Sequence, residues 1–257
     1  MKLIALIATH AANVSRCKLI NETWGLDLKR HGIDYYFASG DELSLKNTLK
    51  LDFNECYEQL PLKTFLMLKQ ISNINFNYII KLDDDTLFNI DEFLKTDFMN
   101  YDYIGKFNLA SSKRDTYYKR IHFYKIKNVD YHVDKLLPQF DYAQGGFYAL
   151  SRSAVDYILS HRKERFINTP ISYKGEDEVL GEILAKHKKY DIKDGYVSSL
   201  LHLDATKNGI SFHPVHHTLV KPLYKCIGDK ERIKYLQANF YKNAYVLRDV
   251  ILRKYGK

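Results

Sequence analysis

The sequence predicts an α/β fold with a mostly parallel central sheet flanked by helices, and three observations support this prediction. Short apolar segments at residues 3–8, 34–38 and 77–82 alternate with amphipathic segments along the first half of the chain. The order strand, helix, strand, helix, strand is typical of a parallel sheet. Three adjacent aspartates at residues 83–85 follow the third apolar segment directly. Because ligands of such sheets bind at the carboxyl ends of the strands, these aspartates are well placed for chemistry.

The helices are predicted from apolar residues that recur at three- and four-residue steps. They cover residues 15–28, 60–74, 151–159 (with Ser151 or Ser153 as the N-cap), 175–187 and most of the chain after Gly228. Residues 144–150 are predicted to form a tight turn into a strand, and the stretch 101–140 has only weak periodicity. The economical organisation is one domain over residues 1–225, with a C-terminal helical extension over residues 226–257.

Length and composition are typical of an ordinary folded protein. The chain has 257 residues, of which 46% are hydrophobic and 27% are charged. This balance supplies a core and excludes disordered, collagen-like and coiled-coil proteins. No apolar run approaches 18 residues, which excludes a membrane-spanning helix, and residues 3–8 favour a buried strand over a signal peptide. We therefore expect a cytoplasmic location.

Net charge indicates which classes of partner the chain could bind, and cysteine content indicates the redox compartment. The net charge of +8 favours anionic partners, namely nucleotide phosphates, nucleic acid or a membrane surface, without choosing among them. Cys17, Cys56 and Cys226 are widely spaced and odd in number. They predict free thiols in a reducing compartment rather than a disulfide framework or a zinc site.

The aspartates at 83–85 are the first candidate site. Adjacent carboxylates repel one another, so a cation that neutralises them is a natural partner. In an extended segment Asp83 and Asp85 point to the same face, and hard oxygen ligands suit Mg²⁺ or Mn²⁺. The alternative is a solvated acidic turn. The apolar strand before the site and Leu87 and Phe88 after it favour the sheltered metal site.

Two further groups of residues could take part in chemistry. Glu176, Asp177 and Glu178 either stabilise a helix N-terminus or include a general base for a hydroxyl. Four histidines lie close together in the sequence: His202, His213, His216 and His217. The pattern supports two interpretations equally, structural histidines or a set that includes a metal ligand. The chain contains no P-loop, Rossmann, serine-hydrolase, zincin or haloacid-phosphatase signature.

Taken in order, five segments resemble the β-1,3-glycosyltransferase family that includes galactosyltransferases, N-acetylglucosaminyltransferases and Fringe proteins. Residues 16–25 resemble its RxxIRxTWG segment, and residues 52–64 resemble DFxDxYxNLTLKT. The other three segments, residues 81–89, 142–151 and 176–181, resemble KxDDDxFVN, YCSGxGYVLS and EDVxxG. The resemblance extends from Leu3 to about Pro222.

The resemblance implies a GT-A fold, a DXD-type metal site and an inverting single displacement at the anomeric carbon of a UDP-sugar. The moved group would be a hexose or N-acetylhexosamine, galactose-type in the first instance, and the linkage β-1,3. By this analogy Asp85 binds Mn²⁺ or Mg²⁺, Asp83 contacts the ribose or the metal, and Asp84 contacts the donor sugar. Asp177 would be the base, and His216 the late metal ligand, with His213 and His217 as alternates.

Other residues of the same segments are expected to bind the donor: Arg16, Lys63, Lys81, Gly145 and Gly146. The acceptor would be a soluble or lipid-linked glycan. Its rings could stack on aromatic side chains that are otherwise ordinary surface and core residues, namely Tyr103, Tyr117, Tyr118 and Phe123. The C-terminal helix is expected to pack against the domain, with peripheral contact to an anionic membrane surface as the alternative.

Two rival functions remain at this point. One is a sugar-binding or nucleotide-sugar-binding protein that has the same fold but no turnover. The other is a nucleic-acid-binding module, which the positive net charge suggests. No nucleic-acid recognition motif is present, and the acidic residues at 83–85 would repel a phosphate backbone. We therefore expect no nucleic-acid partner.

Overall fold

A computed structural model describes residues 1–108, 140–167, 175–185 and 211–212, and a six-stranded sheet forms its centre. The strands are β1 (Leu3–Ala8), β2 (Asp34–Ser39), β3 (Thr48–Lys50), β4 (Tyr78–Asp83), β6 (Tyr103–Asn108) and β7 (Tyr142–Ser151). Two short strands, β5 (Leu87–Phe88) and β8 (Ser211–Phe212), form a separate antiparallel pair. The order in the main sheet is β3-β2-β1-β4-β7-β6.

Five of these six strands run in the same direction. β1 pairs in parallel with β2 and β4, and β2 pairs in parallel with β3. β7 is antiparallel to both β4 and β6. The prediction of a mostly parallel sheet flanked by helices is confirmed. After β1 the chain adds β2 and β3 on one side of β1, and it then adds β4 on the other side. The position between β1 and β4 is therefore a topological switch point.

Six α-helices cover the sheet in the described part of the chain. They are α1 (Val14–Asn21), α2 (Trp24–Arg30), α3 (Leu60–Ile71), α4 (Ile90–Leu94), α5 (Arg152–Leu159) and α6 (Glu176–Leu184). The N-cap of α5 is Ser151, whose hydroxyl accepts a hydrogen bond from the N–H of Ala154. None of the helices in the described ranges is long and apolar enough to cross a membrane.

The sheet is buried on both faces. Alternate residues of β1 enter two different clusters, with Ala5 and Ile7 in one and Ile4 and Leu6 in the other. The first cluster includes the buried side chains of α1 and α2, and the second includes those of α3, α5 and α6. A strand covered on both sides is apolar at every position, which is why β1 is a continuous apolar run in the sequence.

The single helix predicted over residues 15–28 is wrong, because the chain breaks between α1 and α2. The backbone of Thr23 has φ −129° and ψ −118°, and its hydroxyl donates to the carbonyl of Leu19 over 2.6 Å. Gly25 then passes close to the previous helix, where a Cβ would lie 2.6 Å from the carbonyl oxygen of Ile20. Periodicity continues across this break because both helices bury their apolar residues on the same side.

Of the tight turn and strand predicted over residues 144–150, the strand is confirmed and the turn is wrong, since all of these residues belong to β7. Residues 147–151 pair with β4 on one side. On the other side the register with β6 shifts between Gly105 and Phe107, so the segment before residue 147 bulges out of the ladder. The two glycines therefore lie in a bulge within the strand, between the residues that pair with β6 and β4. Residues 186–210 and the predicted extension over residues 226–257 lie outside the described residues.

Candidate functional site

A cleft of about 380 Å³ opens at the carboxyl ends of β1 and β4. This is the switch point of the sheet, where open α/β sheets bind ligands. Its walls are formed by Ala8, Thr9, His10, Asn13, Glu55, Cys56, Tyr57, Leu60, Lys63, Asp83, Asp84 and Asp85. One part of the cleft carries carboxylates, and another carries the exposed ring of Tyr57 and the side chain of Leu60.

The three aspartates form a turn rather than an extended segment. β4 ends at Asp83, and the N–H of Thr86 donates to the carbonyl of Asp83 over 3.1 Å. The hydroxyl of Thr86 donates to the carbonyl of Gly146 over 2.7 Å and fastens the turn to β7. The expectation that extended geometry aligns Asp83 with Asp85 is therefore wrong, although both carboxylates reach the cleft.

The middle aspartate is held by the protein. Oδ1 of Asp84 lies 2.8 Å from Nη1 of Arg16, and its Oδ2 accepts from Thr9 over 2.6 Å and from Asn13 over 2.9 Å. The side chain of Asp84 is 6% exposed, while those of Asp83 and Asp85 are 32% and 27% exposed. The outer two carboxylates therefore face the cleft, and the middle one anchors the turn.

Lys81 lies beneath the cleft and not in it. Its side chain is 1% exposed, and Nζ donates to Oδ1 of Asp83 over 2.7 Å and to the carbonyl of Gly145 over 2.6 Å. Nζ also lies 3.0 Å from Oε1 of Glu176. Burial lowers the pKa of Lys81, but Asp83 and Glu176 outweigh it and hold the pKa above its usual value. The predicted direct contact of Lys81 with a donor does not fit this arrangement, because its three N–H groups meet protein acceptors.

Glu176 is one of two buried acidic residues of α6, the other being Glu178. Glu176 is 8% exposed, and its Oε1 accepts from the hydroxyl of Tyr148 over 2.7 Å. Burial raises the pKa of Tyr148 well above its usual value, so the phenol remains a donor. Glu176 thus joins α6 to β4 and β7 through two buried contacts.

Asp177 lies in the first turn of α6, beside Glu176. Its side chain is half-buried, and its Oδ1 accepts from the N–H of Glu178 over 3.0 Å. The N–H of Gly175 donates to the carboxylate of Glu178 over 3.3 Å. Capping, one of the two interpretations of this segment, is therefore observed. The other, a base at Asp177, stays a prediction.

The other wall of the cleft contains a buried ion pair. Nζ of Lys63, in a side chain that is 3% exposed, donates to Oε1 of Glu55 over 2.6 Å and to the carbonyl of Thr9. The same oxygen of Glu55 accepts from the N–H of Gly40 over 2.8 Å and from the hydroxyl of Ser39. Lys63 therefore lies in the cleft wall and has two protein partners, and its role in binding a donor stays a prediction.

The metal prediction is tested only in part. Asp83 and Asp85 supply hard oxygen ligands at the cleft, and Mg²⁺ or Mn²⁺ needs only one or two such carboxylates when substrate phosphates complete the shell. Within the described ranges no group of three His, Cys, Asp or Glu side chains comes together. The residues present fit a shared metal-phosphate site. His216 and its alternates His202, His213 and His217 lie outside the described residues.

Several site residues were not anticipated. Thr9 and Asn13 bind Asp84, and Tyr148 binds Glu176. Glu55 could have been found, because it lies in the segment 52–64 that carries the family resemblance. Of the two interpretations of Tyr103, a core residue or a platform for a sugar ring, the structure favours the core residue, because Tyr103 is 1% exposed and its hydroxyl accepts from the N–H of Ala143. Tyr117, Tyr118 and Phe123 lie outside the described residues.

Comparisons with known proteins identify similar sequences and structures. A family model described as Galactosyltransferase matches residues 37–194, which is more than half of the chain. The galactosyltransferase LgtC, solved in complex with donor and acceptor sugar analogs, is 11% identical over 69% of each chain, with a TM-score of 0.43. A glycosyltransferase involved in the glycosylation of the major capsid of PBCV-1 is 10% identical over 88% of this chain and 100% of its own, also with a TM-score of 0.43. No curated protein gives a significant sequence match.

Proposed function

The chain belongs to the galactosyltransferase family, and from this premise we propose that it is a metal-dependent, inverting transferase of UDP-sugars. The proposed donor group is a hexose or N-acetylhexosamine, galactose-type in the first instance. The proposed acceptor is a hydroxyl of a soluble or lipid-linked glycan, and the linkage is β-1,3. The observation that best supports this proposal is the pair of cleft-facing carboxylates, Asp83 and Asp85, at the switch point of the sheet.

The donor's diphosphate is proposed to bind beside this carboxylate pair. Mn²⁺ or Mg²⁺ held by Asp83 and Asp85, with His216 as a further ligand, would neutralise the charge that develops on the departing diphosphate. Arg16 is a second source of positive charge, because its Nη1 lies 4.0 Å from Oδ2 of Asp85 and its side chain is 33% exposed. The ion pair with Asp84 fixes the direction in which this guanidinium points.

Asp177 is proposed to act as the base on the acceptor side. Its carboxylate takes the proton of the acceptor hydroxyl, and the acceptor oxygen forms a bond to the anomeric carbon as the bond to the diphosphate breaks. Attack from the face opposite the diphosphate inverts the anomeric centre. The position of Asp177 in the first turn of α6 supports the ionised form, since a helix N-terminus stabilises negative charge.

The first experiment measures UDP release from a panel of UDP-sugars, with Mn²⁺ and with EDTA. We expect slow hydrolysis of one donor that EDTA abolishes and that Asp85→Ala reduces by at least about 100-fold. Asp91→Ala is the matched control, because Asp91 is 50% exposed and lies on α4 outside the cleft lining. Release that continues in EDTA, or that Asp85→Ala leaves unchanged, would contradict the metal site.

A second measurement separates the enzyme from a binding protein without turnover. Asp177→Asn is expected to retain binding of the UDP-sugar in calorimetry while transfer falls by at least about 100-fold. Wild-type protein that binds the donor but transfers it to neither water nor a glycan panel would support the binding protein instead. The anomeric configuration and linkage of an isolated product, read by NMR coupling constants, test inversion and the β-1,3 bond.

A further inference from the structure

The ammonium group of Lys81 joins three separate parts of the fold. One acceptor is Asp83 at the end of β4, the second is the carbonyl of Gly145 in the bulged part of β7, and the third is Glu176 at the start of α6. The N–O distances are 2.7, 2.6 and 3.0 Å. An ammonium has three N–H groups, so this set of acceptors uses all of them.

Stability alone does not explain a charged residue at this position. Lys81 is 1% exposed and shares a face of β4 with the apolar core residue Ile79. A well-packed apolar side chain of similar volume often stabilises a fold at least as well as a buried ion pair does. What the ion pair adds is directional geometry, because each charged hydrogen bond fixes the position of its acceptor.

The two carboxylates held by Lys81 belong to the two sides of the proposed reaction. Asp83 faces the donor cleft, while Glu176 immediately precedes Asp177, the proposed base. The hydroxyl of Tyr148 donates to Oε1 of Glu176 over 2.7 Å, while Lys81 donates to Oε2 over 3.1 Å, so both carboxylate oxygens are held. The start of α6 is therefore placed relative to the end of β4 by one buried cation.

We propose that Lys81 and Glu176 are positioning residues that set the distance between the donor-binding carboxylates and the base on α6. Neither side chain touches substrate, and both act through a neighbour, Lys81 through Asp83 and Glu176 through Asp177. This inference rests on the proposed function. On this proposal Lys81 does not contact the donor directly, in contrast to the role that the family resemblance implies for it.

The test compares steady-state kinetics of buried-pair variants with those of a surface control. Lys81→Met is expected to lower kcat by about 100-fold, as a displacement of about 1 Å does in a preorganised site, and to raise the metal concentration needed for half-maximal rate. Glu176→Gln keeps one oxygen, at the position that accepts from Tyr148 and lies 3.0 Å from Nζ of Lys81, and replaces Oε2 by an amide nitrogen that cannot accept from Lys81. We therefore expect kcat to fall by about tenfold with the donor KM within about twofold of wild type. Glu176→Ala, which lacks that oxygen, is expected to lose about 100-fold.

Lys95→Met is the matched control, since Lys95 is 69% exposed and its ammonium forms a surface ion pair with Glu92 over 2.7 Å. Melting temperatures of all variants are measured in the same buffer, and rates are taken well below each midpoint. We expect Glu176→Gln to lose less kcat than Glu176→Ala. An ion pair that only stabilised the fold would not give this graded loss in kcat among folded variants.

Each other outcome is decisive. Folded Lys81→Met and Glu176→Gln proteins whose kcat and KM match those of Lys95→Met would overturn the positioning role while leaving the transferase proposal intact. Wild-type protein without transfer or donor hydrolysis would overturn the transferase proposal and this inference with it. If both variants fail to fold, Tyr148→Phe decides, because it removes only one hydroxyl: an unchanged kcat would assign the network to folding alone.

Discussion

The guanidinium of Arg16 and the carboxylate of Asp84 form an ion pair of 2.8 Å at the carboxyl end of the sheet. Arg16 lies on α1 and Asp84 lies in the turn after β4, so the pair connects two elements that flank the cleft. Because Asp84 is occupied by protein donors, three identical side chains in a row have different surroundings. The outer two are left at the cleft, where a cation and phosphates would meet them.

Removing the carboxylate of Asp84 is expected to destabilise the fold. Asp84→Ala would leave the buried hydroxyl of Thr9 and the amide of Asn13 without their acceptor, at a cost of about 3 kcal/mol in the free energy of unfolding. Urea denaturation measures the change. Asp91→Ala is the control, since the half-exposed ion pairs of Asp91 contribute no more than about 1 kcal/mol. Equal losses in the two variants would show that Asp84 is not an anchor.

The two cysteines of the described region are expected to differ in reactivity. Cys56 is exposed and lines the cleft, whereas Cys17 is buried. Burial, with smaller opposing contributions from a hydrogen bond to Thr9, raises the pKa of Cys17 to about 11. At pH 7.5 iodoacetamide should therefore alkylate Cys56 in the folded protein and Cys17 only after unfolding, as read by peptide mass spectrometry.

Cys56 also provides a test of the nucleotide site that needs no catalysis. UDP with Mn²⁺ is expected to slow alkylation of Cys56 by at least about fivefold, because a ligand in the cleft would cover its thiol. UDP in EDTA should protect less well. Alkylation at the same rate with and without UDP and Mn²⁺, at concentrations where calorimetry detects binding, would place the nucleotide elsewhere.

Gly181 is expected to tolerate no side chain. A Cβ there would lie 2.6 Å from Cβ of Tyr142 and 2.7 Å from the carbonyl oxygen of Asp141, so α6 would have to move away from β7. Gly181→Ala should cost about 1–3 kcal/mol in the free energy of unfolding. Gly145→Ala is the matched comparison for stability, because its Cβ would meet only atoms at 3.8 Å. A Gly181→Ala protein as stable as Gly145→Ala would contradict this packing.

The surface pair of His31 and Asp91 predicts a small effect of acid on stability. Oδ1 of Asp91 lies 2.6 Å from Nε2 of His31, and this hydrogen bond, followed by Arg30, holds the pKa of Asp91 below its usual value despite slight desolvation. The folded carboxylate is therefore harder to protonate than the unfolded one. Its stabilisation is present above about pH 4 and is lost as the pH falls through the lowered pKa.

The measurement is the melting temperature of wild type and Asp91→Asn between about pH 6 and pH 2.5. Wild type should be slightly more stable at the higher pH, by a few tenths of a kcal/mol for a half-exposed pair, and the difference should vanish in acid. A difference that grows as the pH falls would reverse the sign of the argument.

The strands β1, β2 and β4 could be predicted from the sequence, because they are largely buried and therefore mostly apolar. β1 is predicted to the residue. β6 could not be predicted in the same way. Its backbone is paired along one edge to β7, and the register shift between Gly105 and Phe107 breaks the alternation that would indicate a strand.

The location of the site could be predicted from the sequence, but its internal contacts could not. The acidic turn follows a recognisable strand, so its place at the sheet edge was expected. Asp84 faces the protein because it pairs with Arg16, which is 68 residues away in the sequence. Lys81 pairs with Glu176, which is 95 residues away. Such pairs are created by the fold, and no local pattern of residue types indicates them.

The residues that line the cleft run from Ala8 to Asp85, so within the described ranges the proposed donor side is encoded in the first third of the chain. The proposed base lies on α6, almost a hundred residues later. The contacts of Lys81 with Asp83 and Glu176 join these two distant pieces of the chain. A gene that exchanged either piece alone would separate the partners of this contact, so the two stretches of coding sequence are expected to change together.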